Sequence, residues 1–258
     1  MPLKIFVKGK VKTNISDIYP RIFHKLIFDI LDKDLAKALH NIEVKPFSLY
    51  FRVNSKSNDE KNTFFFEINI LKDDIANKFI SNLFNFSIFQ REISYFQNGE
   101  KVEFFINPQD IKLKNFLKYE EILAQRKNNK DFLIDIKTPF SFKRYDYDYF
   151  LPEPIMVLEN LRKKFNRFSN YELEFFEEEK LDILKNFIIS GLWGKSKKID
   201  IDNKTKFLGF LGRVLYYYKG ENENLKNKIH SLFIFSTFSG LGRKNTMGMG
   251  KVDYDYNS

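Results

Sequence analysis

Leu3-Lys4-Ile5-Phe6-Val7-Lys8-Gly9-Lys10-Val11-Lys12 is the stretch from which the architecture can be read. Leu3, Ile5, Val7 and Val11 alternate with Lys4, Lys8, Lys10 and Lys12. That period of two predicts a strand with a basic outer edge. Downstream, Pro20 suits the first turn of a helix, and Ile22, Phe23, Leu26, Ile27, Ile30 and Leu31 recur at helical spacing. A second helical stretch, Leu35–Leu39, follows Asp34 as its expected cap. Pro46–Val53 reads as a strand, Asn54–Asn62 as a polar turn, and Phe64, Phe66, Ile68 and Ile70 as alternate positions of another strand. Asp73–Phe84 reads as a helix, and Ile88–Ile106 as a hairpin turned at Asn98-Gly99. The order strand, helix, strand, strand, helix, strand is the ferredoxin-like pattern.

The order then recurs. Phe132–Ile136 is an expected strand ended by Thr138-Pro139. Pro154–Phe168 and Tyr171–Ile189 read as helices, 192–201 and 206–218 as strands. Glu221–Ile229 reads as a short helix, and Ser231–Phe238 as the start of the last strand. A polar stretch over Lys114–Lys130 joins the halves. The expected fold class is therefore α+β, with two ferredoxin-like units, each an antiparallel sheet with helices on one face. A single larger α+β domain is the alternative.

Composition narrows the function. The chain has 258 residues, a net charge of +9 and 30 phenylalanines. Such a chain can fill a core, and its basic balance favours an anionic polymer or surface as partner. With no cysteine, a disulfide framework, a thiolate zinc site and a cysteine nucleophile are excluded. No apolar run reaches the ~18 residues of a membrane span. The opening residues lack the continuous apolar core of a signal peptide, so the cytoplasm is the default expectation.

Four of the 11 glycines, Gly240, Gly242, Gly248 and Gly250, fall within residues 240–250. Such clustering marks a backbone that bends sharply or approaches something closely. A Walker A loop fails, because Gly250-Lys251 is followed by Val252 and Asn245 stands where the first glycine should be. A dinucleotide fingerprint fails for want of a third glycine at the right spacing. What is left is an expected loop between two late strands, its exposed amides and the cations Arg243 and Lys244 suited to a nucleic-acid backbone. A flexible hairpin with incidental charge is the competing reading. A second basic concentration spans residues 185–219 and includes Lys195, Lys197 and Lys198. It would bind phosphate if its cations share a face. The glutamates of Glu172–Glu179 read as a solvated helix face, away from RNA. The pairs Asp146/Asp148, Asp200/Asp202 and Asp253/Asp255 each read as one solvated strand face.

There are three histidines. His24 lies in the first helix with Phe28 and Leu31 near its face, most simply as a half-buried structural residue. His230 reads as a capping or packing residue. His40 ends its helix, a favourable place for a cationic side chain, and Lys45 follows just before the Pro46 strand. An RNA-cleaving site needs a base for the ribose 2′-hydroxyl, an acid for the leaving 5′-oxygen and a cation for the phosphorane. Histidine and lysine supply these.

With those residues in place, the chain resembles the CRISPR-associated Cas6 endoribonucleases of the repeat-associated (RAMP) superfamily. Gly240-Leu241-Gly242, five residues and Gly248-Met249-Gly250 resemble the family's glycine-rich loop. Ile134–Phe140 is similar to the segment opening its second domain, and Gly209–Val214 to a strand start there. Leu26-Ile27-Phe28, Leu35–His40 and Lys45-Pro46-Phe47 are similar to its N-terminal catalytic stretch. The resemblance implies tandem ferredoxin-like (RRM-like) domains, residues 1–117 with the catalytic histidine and residues 118–258 with the glycine-rich loop. It implies cleavage of precursor CRISPR RNA within repeats, leaving 5′-hydroxyl and 2′,3′-cyclic phosphate (or 3′-phosphate) ends, with no metal or other cofactor. His40 falls on the family's acid–base histidine and Lys45 on an assisting lysine, while His24 fits a second histidine of some members. Gly240, Gly242, Arg243, Lys244, Gly248 and Gly250, with Lys195, Lys197 and Lys198, are the expected RNA contacts. Phe28 stands where some members carry a catalytic tyrosine, a role then absent or filled by Tyr19 or Tyr50. That departure leaves open a non-catalytic RAMP-type RNA-binding subunit. Membership of an interference complex and a monomeric or homodimeric state are open as well.

Overall fold

The computed structural model describes residues 2–13, 17–54, 62–89 and 92–256, with the backbone alone at 115 and 116. The expected polar turn Asn54–Asn62 lies for the most part, at residues 55–61, outside the described residues.

The first half runs β1 (Leu3–Lys12), α1 (Pro20–Ile30), α2 (Lys33–Asn41), β2 (Phe47–Asn54), β3 (Asn62–Ile70), α3 (Asp73–Ile88), β4 (Ile93–Gln97) and β5 (Glu100–Phe116). Its sheet order is β2-β3-β1-β5-β4, every pairing antiparallel. Without the short β4, this is the ferredoxin-like order. Ile5, Val7 and Val11 are fully buried beneath the helices, as their alternation requires. The β4–β5 turn is at Asn98-Gly99, both with positive φ, the type I′ chemistry of a two-residue hairpin. The cap of α2 is Asp32, whose carboxylate accepts from Leu35 N at 2.8 Å; the helix begins earlier than an Asp34 cap allows.

The second half runs α4 (Tyr119–Ala124), β6 (Asp131–Phe140), β7 (Phe142–Arg144), β8 (Tyr147–Tyr149), α5 (Pro154–Phe168), α6 (Glu177–Asn186), β9 (Phe187–Asp200), β10 (Lys206–Tyr218), α7 (Glu223–Ser239) and β11 (Val252–Tyr254). The order β11-β6-β10-β9 repeats the ferredoxin-like arrangement. Four expectations are corrected. β6 runs through Thr138-Pro139, because Pro139 uses its carbonyl, accepting from Gly250 N, rather than the N–H it lacks. Phe187–Ile189 begin β9 instead of ending a helix. The helix before it starts only at Glu177, and Glu179 is buried, accepting from Lys228 Nζ at 2.8 Å, so this acidic segment is not one solvated face.

The fourth correction matters most. Glu223–Ser239 is one 17-residue helix, not a helix followed by a strand. Phe233 stacks on Tyr216 of β10 at 5.6 Å. At the other end, the Phe238 carbonyl accepts from Ser48 Oγ of β2 at 2.6 Å, and Lys4 Nζ lies over its ring. α7 is therefore covered by both sheets, and a helix buried all round has no polar stripe to reveal its period. A buried ion pair, Lys251 to Glu67 at 2.5 Å, also ties β3 to the segment entering β11. Among the described residues no helix is long and apolar enough to cross a membrane.

Candidate active site

α1 carries Arg21, His24 and Phe28 on one face, while Phe23, Leu26, Ile27 and Ile30 fill the core. α2 delivers His40, exposed, at its C-terminal turn. Lys45 Nζ folds back on that turn, donating to the His40 carbonyl at 3.1 Å and to the Ile42 carbonyl, and so serves as a cationic cap. Phe28 joins the two imidazoles: its ring centroid is 4.8 Å from that of His24 and 6.4 Å from that of His40, the latter edge-on. Of the alternative hydroxyls, Tyr19 accepts from Asn98 Nδ2, and Tyr50 packs on Phe65.

The glycine-rich segment meets this row from the other half. His24 Nδ1 lies 3.0 Å from the Thr246 carbonyl. A carbonyl only accepts, so Nδ1 carries a proton, and in the neutral imidazole Nε2 keeps its lone pair. Burial lowers the His24 pKa below its ordinary value; the Thr246 carbonyl opposes this, and the charges of Lys45, Arg21 and His40 reinforce it. Burial lowers Lys45 and Lys244 as well.

The loop connects α7 to β11 and is a packed object. Gly240, Gly242, Gly248 and Gly250 are buried, each with φ between +67° and +82°. A Cβ at Gly250 would stand 1.9 Å from the Leu241 carbonyl oxygen, and one at Gly242 2.4 Å from that of Ser141. The amides of Gly240, Leu241, Gly242, Arg243, Gly248, Met249 and Gly250 all donate within the protein. The expectation of exposed loop amides is thereby corrected: the glycines give the loop its shape, and side chains and the Thr246 carbonyl are what it presents. Arg243 is held by Asp148 of β8 and lies over Phe207, so part of its charge is used internally. Asp148 also accepts from Leu208 N, and Asp202 pairs with Arg21 in a tight turn that pulls its carboxyl down to about 2; neither is a simple solvated strand carboxylate.

A cleft of about 600 Å³ lies between the halves, lined by Lys45 from the first and by Thr246, whose carbonyl meets His24, from the second. Lys45 and Lys244 stand on its rim, and α5 adds Lys163 and Arg167, both exposed. Sequence reading missed these two: they recur at i and i+4 in a lysine-rich helix, a pattern common to solvated faces. Lys195, Lys197 and Lys198 are exposed on the edge strand β9. By alternation Lys195 and Lys197 share the face that carries Ile199 and Phe207, which pack near Met247 and Met249, whereas Lys198 points to the other side. His230 is fully buried, its Nδ1 2.7 Å from the Tyr254 hydroxyl, a packing role as expected. Among the described residues no group of three or more His, Asp or Glu is placed to hold a metal.

A family model described as CRISPR-associated endoribonuclease Cas6 matches residues 134–252. A CRISPR-associated endoribonuclease Cas6 of Streptococcus thermophilus is 24% identical over 234 residues, 89% of this chain and 88% of the relative. Another of Mycobacterium tuberculosis is 20% identical over 248 residues, 93% of this chain and 73% of the relative. A solved Cas6 product complex superposes with a TM-score of 0.77 at 18% identity, covering 99% of this chain and 100% of the other.

Proposed function

We propose that this chain, which belongs to the CRISPR-associated endoribonuclease Cas6 family, cuts precursor CRISPR RNA within its repeats by histidine acid–base catalysis without a metal. The single observation that carries the reading is the row His24–Phe28–His40, capped by Lys45 and seated on the Thr246 carbonyl at the mouth of a cationic cleft.

The residues suggest a division of roles. His24 is neutral at pH 7 and keeps Nε2 free of a proton, so it suits the base that takes the ribose 2′-hydroxyl proton. The 2′-oxygen attacks phosphorus, and the bond to the 5′-oxygen breaks. His40, exposed at the C-terminal turn of α2, gives the leaving 5′-oxygen its proton. The Lys45 ammonium offsets the charge that grows on the phosphorane oxygens. The products are a 5′-hydroxyl and a 2′,3′-cyclic phosphate, open to later hydrolysis to the 3′-phosphate. Phe28 brings no hydroxyl, so the two imidazoles carry both proton transfers. Lys244, Arg243, Lys163 and Arg167 line the path of the backbone, with Lys195 and Lys197 farther along the β9 face. Residues 1–117 then hold the catalytic row, and residues 118–258 supply the loop and most of the cationic track.

The test is cleavage of a repeat RNA in EDTA by wild type and by His40→Ala. Loss of ~100–10,000-fold in the variant is expected. An undiminished variant rate overturns the assignment of His40, and a strict need for added divalent metal overturns the metal-free chemistry.

A further inference from the structure

Lys164 is the least expected charge in the molecule. It lies on α5 between the cleft residues Lys163 and Arg167, yet it turns inward and is buried beneath the glycine-rich loop. Its Nζ donates to the Gly240 carbonyl at 3.0 Å, the Gly242 carbonyl at 2.9 Å and Asn245 Oδ1 at 2.7 Å. An ammonium has three N–H donors, and each finds an oxygen of the loop. Among the described residues no carboxylate pairs with it. Burying a cation without a counter-charge is costly, and here burial lowers the pKa to about 7. A packing role alone would be met by methionine.

The three oxygens explain where the ammonium acts. Asn245 is the hub of the loop: its Nδ2 donates to the Leu241 carbonyl at 3.0 Å and to the Met249 carbonyl at 2.9 Å, bridging the two arms. Asn160, one turn earlier on α5, accepts from Gly242 N at 3.0 Å. The residue after Asn245 is Thr246, whose carbonyl holds His24 Nδ1. An unbroken chain of short contacts thus runs from a helix of the second half to the imidazole of the first.

We propose that Lys164 is a positioning residue of the site: its ammonium gathers three loop oxygens, fixes the Gly240–Gly250 turn and so sets the Thr246 carbonyl that selects the His24 tautomer. Lys164 touches neither RNA nor the reacting atoms. The inference rests on the catalytic reading of His24 given above. Its action is indirect, and a displacement of about 1 Å at a reacting group can cost ~100-fold in rate.

The experiment compares wild type, Lys164→Met, His24→Ala and the double variant. Single-turnover cleavage is measured at saturating repeat RNA. Affinity is measured for the same RNA with a 2′-deoxy nucleotide at the cut. Nitrogen-15 NMR of the imidazoles reports the His24 tautomer. Lys164→Met is expected to lose ~10–100-fold in rate, to keep its affinity within about threefold, and to lose the uniform Nδ1–H signature of His24. Added to His24→Ala, it is expected to cost little more. A folded Lys164→Met with the wild-type rate and tautomer overturns the proposal, and so does a full additional loss in the His24→Ala background. If Lys164→Met does not fold, Lys164→Arg replaces it. A guanidinium fork cannot send three donors from one nitrogen, so a reduced rate with retained affinity is expected, and a wild-type rate overturns the proposal. A wild type that binds but does not cleave would instead defeat the catalytic reading itself.

Discussion

The Nδ1 of His24 and the main-chain carbonyl of Thr246 lie 3.0 Å apart, joined across 222 residues of chain. This contact determines which ring nitrogen keeps its lone pair in the neutral imidazole. Since burial lowers the His24 pKa below 6.5, the neutral form persists below the usual imidazole range. The acid limb of the cleavage rate, where His24 takes a proton, is therefore expected to be centred below pH 6.5. Single-turnover rates from pH 5 to 8, corrected for binding, check this. An acid limb centred above pH 6.5 would show that another group is the base.

Lys163 and Arg167 line the same cleft as Lys45 and Lys244. If they neutralise two phosphates, removing both reduces the salt slope of RNA binding by about 1.4, given ~0.7 per phosphate for a single strand. The double alanine variant is expected to bind more weakly, with an unchanged rate at saturating RNA. Titrations between 50 and 300 mM salt make the comparison, and a parallel slope would remove α5 from the RNA path.

How far this site could be read from the sequence depended on the range of each contact. His40 and Lys45 stand out because histidines are few and the two bracket one short turn. The first sheet was legible because Ile5, Val7 and Val11 alternate over a one-sided core. α7 was not, since Phe233 and Phe238 face different sheets and apolar residues surround the helix. Arg243 read as a free cation because Asp148, which holds it, lies 95 residues earlier on a three-residue strand too short to show a period. Lys164 looked like any lysine of a basic helix. Only the folded loop shows that its donors all point inward.

His230 offers a test of stability separate from catalysis. It is fully buried, with no partner for Nε2 among the described residues, and burial pushes its pKa down to about 4. The unfolded chain takes up the proton near 6.5, the folded one only near 4. Stability is therefore complete above pH 6.5 and falls as pH drops from 6.5 to 4, by up to roughly 3 kcal/mol. Urea melts at pH 7 and 4.5 are expected to show most of that loss in wild type. His230→Leu should lack this component of the pH dependence, whatever its stability at pH 7. Equal pH dependence in both proteins would contradict the assignment.

Gly99 and Gly250 separate backbone strain from packing. Both have positive φ, +85° and +70°. A Cβ at Gly99 would meet nothing within 4 Å, whereas one at Gly250 would stand 1.9 Å from the Leu241 carbonyl oxygen and 2.9 Å from Asn245 Nδ2. Gly99→Ala is expected to cost only the ~1–2 kcal/mol of the left-handed conformation, with cleavage at the wild-type rate. Gly250→Ala must also displace the Leu241 carbonyl and crowd Asn245 Nδ2, so its stability loss should exceed that of Gly99→Ala by more than about 1 kcal/mol, the range of disrupted packing. Its cleavage rate should fall with it. Denaturation midpoints and single-turnover rates of the two variants test this directly; equal losses at both sites would mean that the loop yields without disturbing His24.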